Sequence, residues 1–176
     1  MPKISNKTID YKLKASDQNR VKQLIDDSAD LQLPSIEKTT DTIKGAGILG
    51  EIDMPVYGQI GSMTFTVNNR SDSAKYAMLS RPGPIDFEVV WTNDVLNSSD
   101  MSAAIQVNKV YMTGFNKKYD PGKIEVGGPA DGSSEFEIVY YRKLVNGTEI
   151  ILIDKFNGKY VVNGVDYMAS NRAALS

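Results

Sequence analysis

The stretch EFEIVYYRKLVNGTEIILIDKF, residues 135–156, decides the fold. In its first half Phe136, Ile138 and Tyr140 alternate with Glu135, Glu137 and Tyr141. A period of two is that of a half-buried strand, one face to the core and one to water. Asn146-Gly147 then interrupts the run, and both residues tolerate positive φ, so the pair reads as a two-residue hairpin turn. The returning run, Thr148 to Phe156, is apolar on both sides at Ile150, Ile151, Leu152 and Ile153. A strand of that kind is expected to be covered on both faces.

The same period recurs outward in both directions. Ile9, Tyr11, Leu13 and Ala15 alternate with Asp10, Lys12 and Lys14. Met63, Phe65 and Val67 alternate with Thr64, Thr66 and Asn68. Ile85, Phe87, Val89 and Trp91 share a face opposite Asp86 and Glu88. A further strand runs through Ile105, Val107 and Tyr111, with Val110 and Met112 blurring its alternation. Asn163-Gly164 marks another turn. Helical signals are confined to Ser71–Ser80, with Ser71 or Asp72 as the N-cap and Pro82 and Pro84 as the stop, and to a terminal turn within 167–175. Residues 120–134 carry Pro and Gly at turn spacing and read as a surface loop. Many short strands separated by turns make an all-β, mainly antiparallel sandwich or open barrel. Such a fold leaves sheet edges, which assemblies exploit.

Composition narrows the chemistry. The 176 residues fit one domain, 1–176, large enough for a real core. A net charge of −2 gives no basic field for gripping a nucleic acid backbone. Histidine and cysteine are absent, which removes disulfides, thiol and Ser–His nucleophiles, and zinc sites of imidazole or thiolate. No cofactor or metal motif is present. The start, MPKISNKTID, has no apolar segment of the secretory kind, and the longest aliphatic run, Ile150–Ile153, is far short of a membrane span. Paired carboxylates at Glu135/Glu137 and Asp86/Glu88 are the only catalytic raw material, and alternate acids on a strand are ordinarily its solvated face. The chain is therefore read as a non-enzyme. A carbohydrate-binding module is the all-β alternative, but the single Trp, Trp91, lies on the apolar side of its strand rather than on a platform.

One segment does not belong to this pattern. TDTIKGAGILGEIDMPVYGQIGSMT, residues 40–64, spreads Ile43, Ile48, Leu49 and Ile52 among five glycines. Its Gly45-x-Gly47-x-x-Gly50 has the letters of a dinucleotide fingerprint without the context, since the approach EKTTDTIK is polar and Pro55, Gly58 and Gly61 forbid a helix at the exit. Two readings remain: a long surface loop with satellite core contacts, or an arm at about 40–61 that orders on a neighbouring subunit.

These residues also carry a resemblance. TIKGAGILGEID followed by MPVYGQIGSMT is similar to the major tail tube proteins of contractile-tailed bacteriophages and the related R-type bacteriocins, and so are the opening MPKISNKTIDYKLKASDQNR and the closing IDKFNGKYVVNGVDYMASNRAAL. The resemblance implies a β-sandwich with a helix alongside, whose inner strands join across six subunits into a barrel around a lumen. It implies hexameric rings stacked helically into a hollow tube, with a tail sheath, tape measure, baseplate and tail terminator proteins as partners. It further implies that DNA passes as non-specific cargo, that the subunit does not itself insert in a membrane, and that the particle is a virion tail or bacteriocin assembled in the host cytoplasm. Within that frame the self-assembly candidates are Ile43, Lys44, Gly45, Ala46, Gly47, Ile48, Leu49, Gly50, Glu51, Ile52 and Asp53. The lumen-facing candidates are Thr64, Thr66 and Asn68, a pattern that an ordinary solvated outer face fits as well.

Overall fold

The computed structural model describes residues 3–26 and 28–176. In chain order its strands are β1 (Lys3–Ser16), β2 (Lys22–Ile25), β3 (Ser28–Gln32), β4 (Lys38–Lys44), β5 (Glu51–Ile60) and β6 (Thr64–Asn69). The short helix α1 (Ala74–Met78) follows, then β7 (Pro84–Asn97), β8 (Ala103–Asp120), β9 (Gly132–Val145), β10 (Thr148–Asp154), β11 (Lys159–Val162) and β12 (Val165–Asp166). A C-terminal turn of helix, α2 (Ala169–Ala174), completes the described chain.

Every pairing is antiparallel. The main sheet runs β12-β11-β10-β9-β8-β7-β1-β2, with β6 on the first half of β9 and β3 on the far side of β6. Long strands make this branching possible, because β9 pairs with β6 through 132–137 and with β10 through 140–145. The rings of Phe65 on β6 and Phe87 on β7 meet edge to face at 5.2 Å, although β9 and β8 lie between those strands in the sheet. Phe136 completes the cluster at 4.7 Å from Phe87. The sheet therefore curls on itself around one core, with Leu13, Met63, Ile85, Val110, Met112, Ile138 and Ile153 buried in it and Tyr76 and Leu79 plugging it from the α1 region. Among the described residues β2 and β3 are not paired with each other, so the barrel stays open. The Tyr11 hydroxyl bridges that side by donating to the Ser28 carbonyl at 3.0 Å.

The all-β reading holds, and both Asn-Gly turns are where the sequence puts them: Asn146 and Gly147 (φ 47° and 80°) join β9 to β10, and Asn163 and Gly164 (φ 48° and 81°) join β11 to β12. Several finer expectations are corrected. Tyr140, expected in the core, is half-buried on the outer face, while Tyr141, expected outside, is buried. The cause is a bulge: Ile138 pairs with Gly114 and Tyr140 with Thr113, leaving Val139 extra and reversing the alternation beyond it. Gly114 makes room there, since a Cβ at that position would sit 2.4 Å from the Glu137 carbonyl oxygen. On β8 the faces are opposite to those expected, with Val110 and Met112 inside and Ile105 and Val107 exposed. The beginnings of β1 and β8 extend past the barrel, so no described residue covers Ile4, Ile9 or Ile105. On β10 only Ile153 is buried, so the strand is not covered on both faces. The helix N-cap is Ser73, without a side-chain cap bond; the Asp72 carboxylate accepts instead from the Tyr119 hydroxyl.

Candidate assembly surface

The Gly-rich segment is a β-hairpin with its own two-stranded sheet, β4 with β5, separate from the barrel. The sequence reads as a long surface loop or as an arm that orders on a neighbouring subunit, and neither reading includes the paired strands. The strands are hard to recognise because β4 is almost wholly polar and the alternation of Ile52, Met54 and Val56 in β5 is interrupted by Pro55 and Gly58. The turn is closed by the Ile48 amide donating to the Gly45 carbonyl at 3.2 Å, with Gly47 and Gly50 at φ of 91° and 97°. Those left-handed positions explain two of the glycines without a phosphate. A polar exposed strand enters the Gly45–Gly50 motif and a strand leaves it, so the helix a dinucleotide site requires is absent.

Register sorts the hairpin into two faces. Ile43 opposes Ile52 and Asp41 opposes Met54, placing Ile43, Ile52 and Met54 on one side together with Asp41. Thr42 opposes Asp53 and Lys44 opposes Glu51 on the other. That second face is internally satisfied: Thr42 Oγ1 donates to Asp53 Oδ1 at 2.7 Å, and Lys44 Nζ lies 3.5 Å from Glu51 Oε1. No described residue covers the first, with Ile43 40 %, Ile52 48 % and Met54 52 % exposed, and Leu49 at the tip stands fully in solvent. Of the residues singled out from the sequence, Ile43 and Ile52 thus share the apolar face and Lys44, Glu51 and Asp53 the polar one. Gly45, Ala46, Gly47, Ile48, Leu49 and Gly50 form the turn. Met54, Val56 and Tyr57 are exposed apolar residues that the sequence reading passed over, although the same period-two pattern continues through Ile52 and Met54.

Thr64, Thr66 and Asn68 lie on the outward side of β6, opposite the buried Met63, Phe65 and Val67. Their cross-strand neighbours are Glu137, Glu135 and Ser133 on β9, and Gln32 and Asp30 on β3. Charge on this face pairs off. Lys117 reaches Thr64 Oγ1 at 3.2 Å and Glu137 at 3.7 Å, Lys118 lies 3.9 Å from Glu135, and Asn68 donates to Asp30 at 2.5 Å. Glu137 also accepts from Ser62 Oγ at 2.5 Å, the Met63 amide at 3.3 Å and Lys155 Nζ at 3.5 Å. Burial alone raises the pKa of this carboxyl, and the bonds from Ser62, the Met63 amide and Lys155 outweigh it and hold it below its ordinary value. The other carboxylate pair is likewise occupied, Asp86 by the Thr113 hydroxyl at 2.7 Å and Glu88 by Lys22 at 2.9 Å. Trp91 packs against the core, with the Lys143 ammonium 6.0 Å from its ring centroid, rather than standing out as a sugar platform. Among the described residues no group of three or more His, Cys, Asp or Glu could hold a metal, and no helix is long and apolar enough to cross a membrane.

A family model described as phage tail tube protein FII matches residues 19–175. The chain belongs to this family of phage tail tube proteins. The tail tube protein of Escherichia phage P2 is 26% identical over 146 residues, covering 80% of this chain and 81% of the relative. Two solved structures are also similar. One comes from the sheath/tube terminator of an extracellular contractile injection system, PVC, in its extended state (11% identity, 77% of this chain and 94% of that one, TM-score 0.49). The other comes from the baseplate of the anti-feeding prophage (13% identity, 80% and 97%, TM-score 0.46). The matched region takes in the hairpin, β6 and the C-terminal strands, so the role of this chain is that of a structural tail tube subunit.

Proposed function

We propose that the subunits close side by side into hexameric rings, that the rings stack helically into the hollow tube of a contractile tail, and that the β4–β5 hairpin makes the axial contact between rings. One observation carries the reading: the chain builds a protruding hairpin with a bare apolar face that the subunit itself does not cover. A two-stranded hairpin is marginal alone in water, and apolar area gains about 25 cal/mol per Å² when buried against a partner. Ten residues of β5 span roughly 33 Å, enough to reach an adjacent ring. Closure into rings is supported by the edges at β2, β3 and β12, which end their sheet paths in the subunit. The pairing of charges across Thr64, Thr66 and Asn68 suits a lining past which DNA moves without being held. On this reading the role is architectural rather than catalytic, and the whole of 1–176 acts as one tube domain. Its partners are further copies of itself, a surrounding sheath, a tape measure, the baseplate and a terminator, in a virion tail or bacteriocin particle assembled in the host cytoplasm.

The test exploits the register. Asp41 and Met54 are paired, so replacing Thr42–Asp53 by Asn-Gly closes a shortened hairpin with a compatible turn. The variant is expected to keep its β-rich circular dichroism and melting temperature as a monomer, and to form no long tubes by electron microscopy under conditions in which the unaltered chain polymerises. Tubes of ordinary length from the variant would overturn the proposal.

A further inference from the structure

The hairpin does not hang free at its base. The Lys38 ammonium is buried, has no hydrogen-bond partner among the described residues, and rests 3.7 Å from the centroid of the Tyr160 ring. Desolvated over a ring face, a cation draws on the ring quadrupole in place of water. On the other strand the Tyr57 hydroxyl donates to the Tyr167 carbonyl at 2.7 Å. Gly58, at φ 70°, lies under the Met168 thioether, where a Cβ would be 2.0 Å from Sδ. At the exit, Lys155 Nζ donates to the Gly61 carbonyl at 2.8 Å, and the Gly61 amide donates to the Glu37 carbonyl at 2.9 Å.

Four of these partners, Lys155, Tyr160, Tyr167 and Met168, come from one short stretch near the C-terminus. That stretch is braced on itself: Arg172 pairs with Asp166 at 2.5 Å and donates to the Gly158 carbonyl at 2.8 Å, and the rings of Tyr160 and Tyr167 lie 6.0 Å apart. Yet α2 buries none of its residues, so it adds little to the barrel core. A cavity of about 200 Å³, lined by Gly58, Ile60, Ile153, Lys155, Tyr160 and Met168, separates hairpin root from strand end. Ile60 and Tyr160 both pack on the edge of the barrel core, and the directed contacts above join the two parts beyond it.

We infer that the C-terminal segment from Lys155 onward is a socket that sets the direction in which the arm leaves the barrel. Its importance for assembly rests on the arm being the axial contact proposed above. A segment held in its docking direction loses less freedom on binding than one that must be oriented at the moment of contact.

Because the chain has no cysteine, a pair of spin labels can be placed without further change, at Ala46→Cys in the hairpin turn and Ser71→Cys beside α1. Pulsed dipolar spectroscopy of the monomer is expected to give one narrow distance distribution. Tyr57→Phe combined with Met168→Ala, and independently Lys38→Met, are expected to broaden it at least about twofold while the melting temperature stays within a few degrees, and to slow tube elongation of the unlabelled variants by about tenfold. Lys38→Met keeps the chain apolar and of similar length, so it reports even where the double variant folds poorly. An unchanged width in the variants, or an equally broad one in the parent, overturns the socket. A broadened arm with ordinary elongation leaves the socket standing and removes the arm from the axial contact, so the two readings fail separately.

Discussion

Glu137 joins three parts of the molecule through one side chain. It receives Ser62 and the Met63 amide from the chain leaving the hairpin, Lys117 from β8 and Lys155 from the socket. Its pKa is depressed despite burial, so the protons it binds differ between the folded and unfolded chains. A carboxylate with a depressed folded pKa contributes stability that is complete above the unfolded value and is lost as pH falls through the folded one. With an unfolded value of about 4.3, the loss begins below about pH 4. Urea unfolding of the parent and of Glu137→Gln across the acid range is expected to show the parent losing stability relative to the variant as pH falls. Parallel curves would show that the carboxylate carries no linked stabilisation. Residue-level detail of this kind was beyond the sequence. Glu135 and Glu137 read as a solvated acidic face, and the bonds that single out Glu137 come from residues far apart in the chain, Ser62, Met63, Lys117 and Lys155. Tyr140 and Tyr141 failed for a related reason, since a bulge exchanges their faces and is set by the Gly114 contact across the sheet.

Among elements, legibility follows burial on one face. β6, the first half of β7 and the first half of β9 each place alternate residues in the core, and each was evident as a strand. β2 and β3 are short, β4 is polar and exposed, and the alternation of Ile52, Met54 and Val56 on the exposed β5 is broken by Pro55 and Gly58, so no buried face marks them. What the sequence did convey about the arm was its excess of glycine and of apolar residues without a core to join. Amide exchange is the measurement suited to this element. In the monomer, residues 43–54 are expected to exchange quickly, as suits a two-stranded sheet with nothing packed on it, whereas Gly61, whose amide is bonded to Glu37, exchanges more slowly. Polymerisation is expected to protect 43–54. Strong protection in the monomer would assign those residues to the subunit's own stability and leave them no role in stacking.

At the scale of the whole molecule the barrel separates two tasks. The aromatic cluster of Phe65, Phe87 and Phe136 holds the curled sheet together, while the outward faces of β3, β6 and β9 are left polar. Replacing Thr64 and Thr66 by lysine leaves Met63, Phe65 and Val67 untouched. The double variant is expected to assemble into tubes as the parent does, and to retain DNA at low salt where parent tubes release it, since each added cation supplies a phosphate contact that salt weakens. Failure to assemble, or unaltered DNA release measured by nuclease-protected DNA in purified tubes, would remove this face from the lumen.

The hairpin leaves the barrel at the end of β6 where the strand begins, and the loop joining β8 to β9 meets the opposite end of β6, where the Ala130 amide bonds to the Arg70 carbonyl. A subunit with the hairpin projecting at one pole and a loop bearing the exposed Ile124 and Val126 at the other has two unlike poles and is an arrow. Stacked through that projection, arrows can only point the same way, and the finished tube inherits a head and a tail that no symmetry operation exchanges. In the hexameric stacking proposed above, one terminus would display a ring of six unspent hairpins and the other a ring of six surfaces still waiting for them. Growth, capping and attachment then become different chemical problems at the two ends, each needing its own partner.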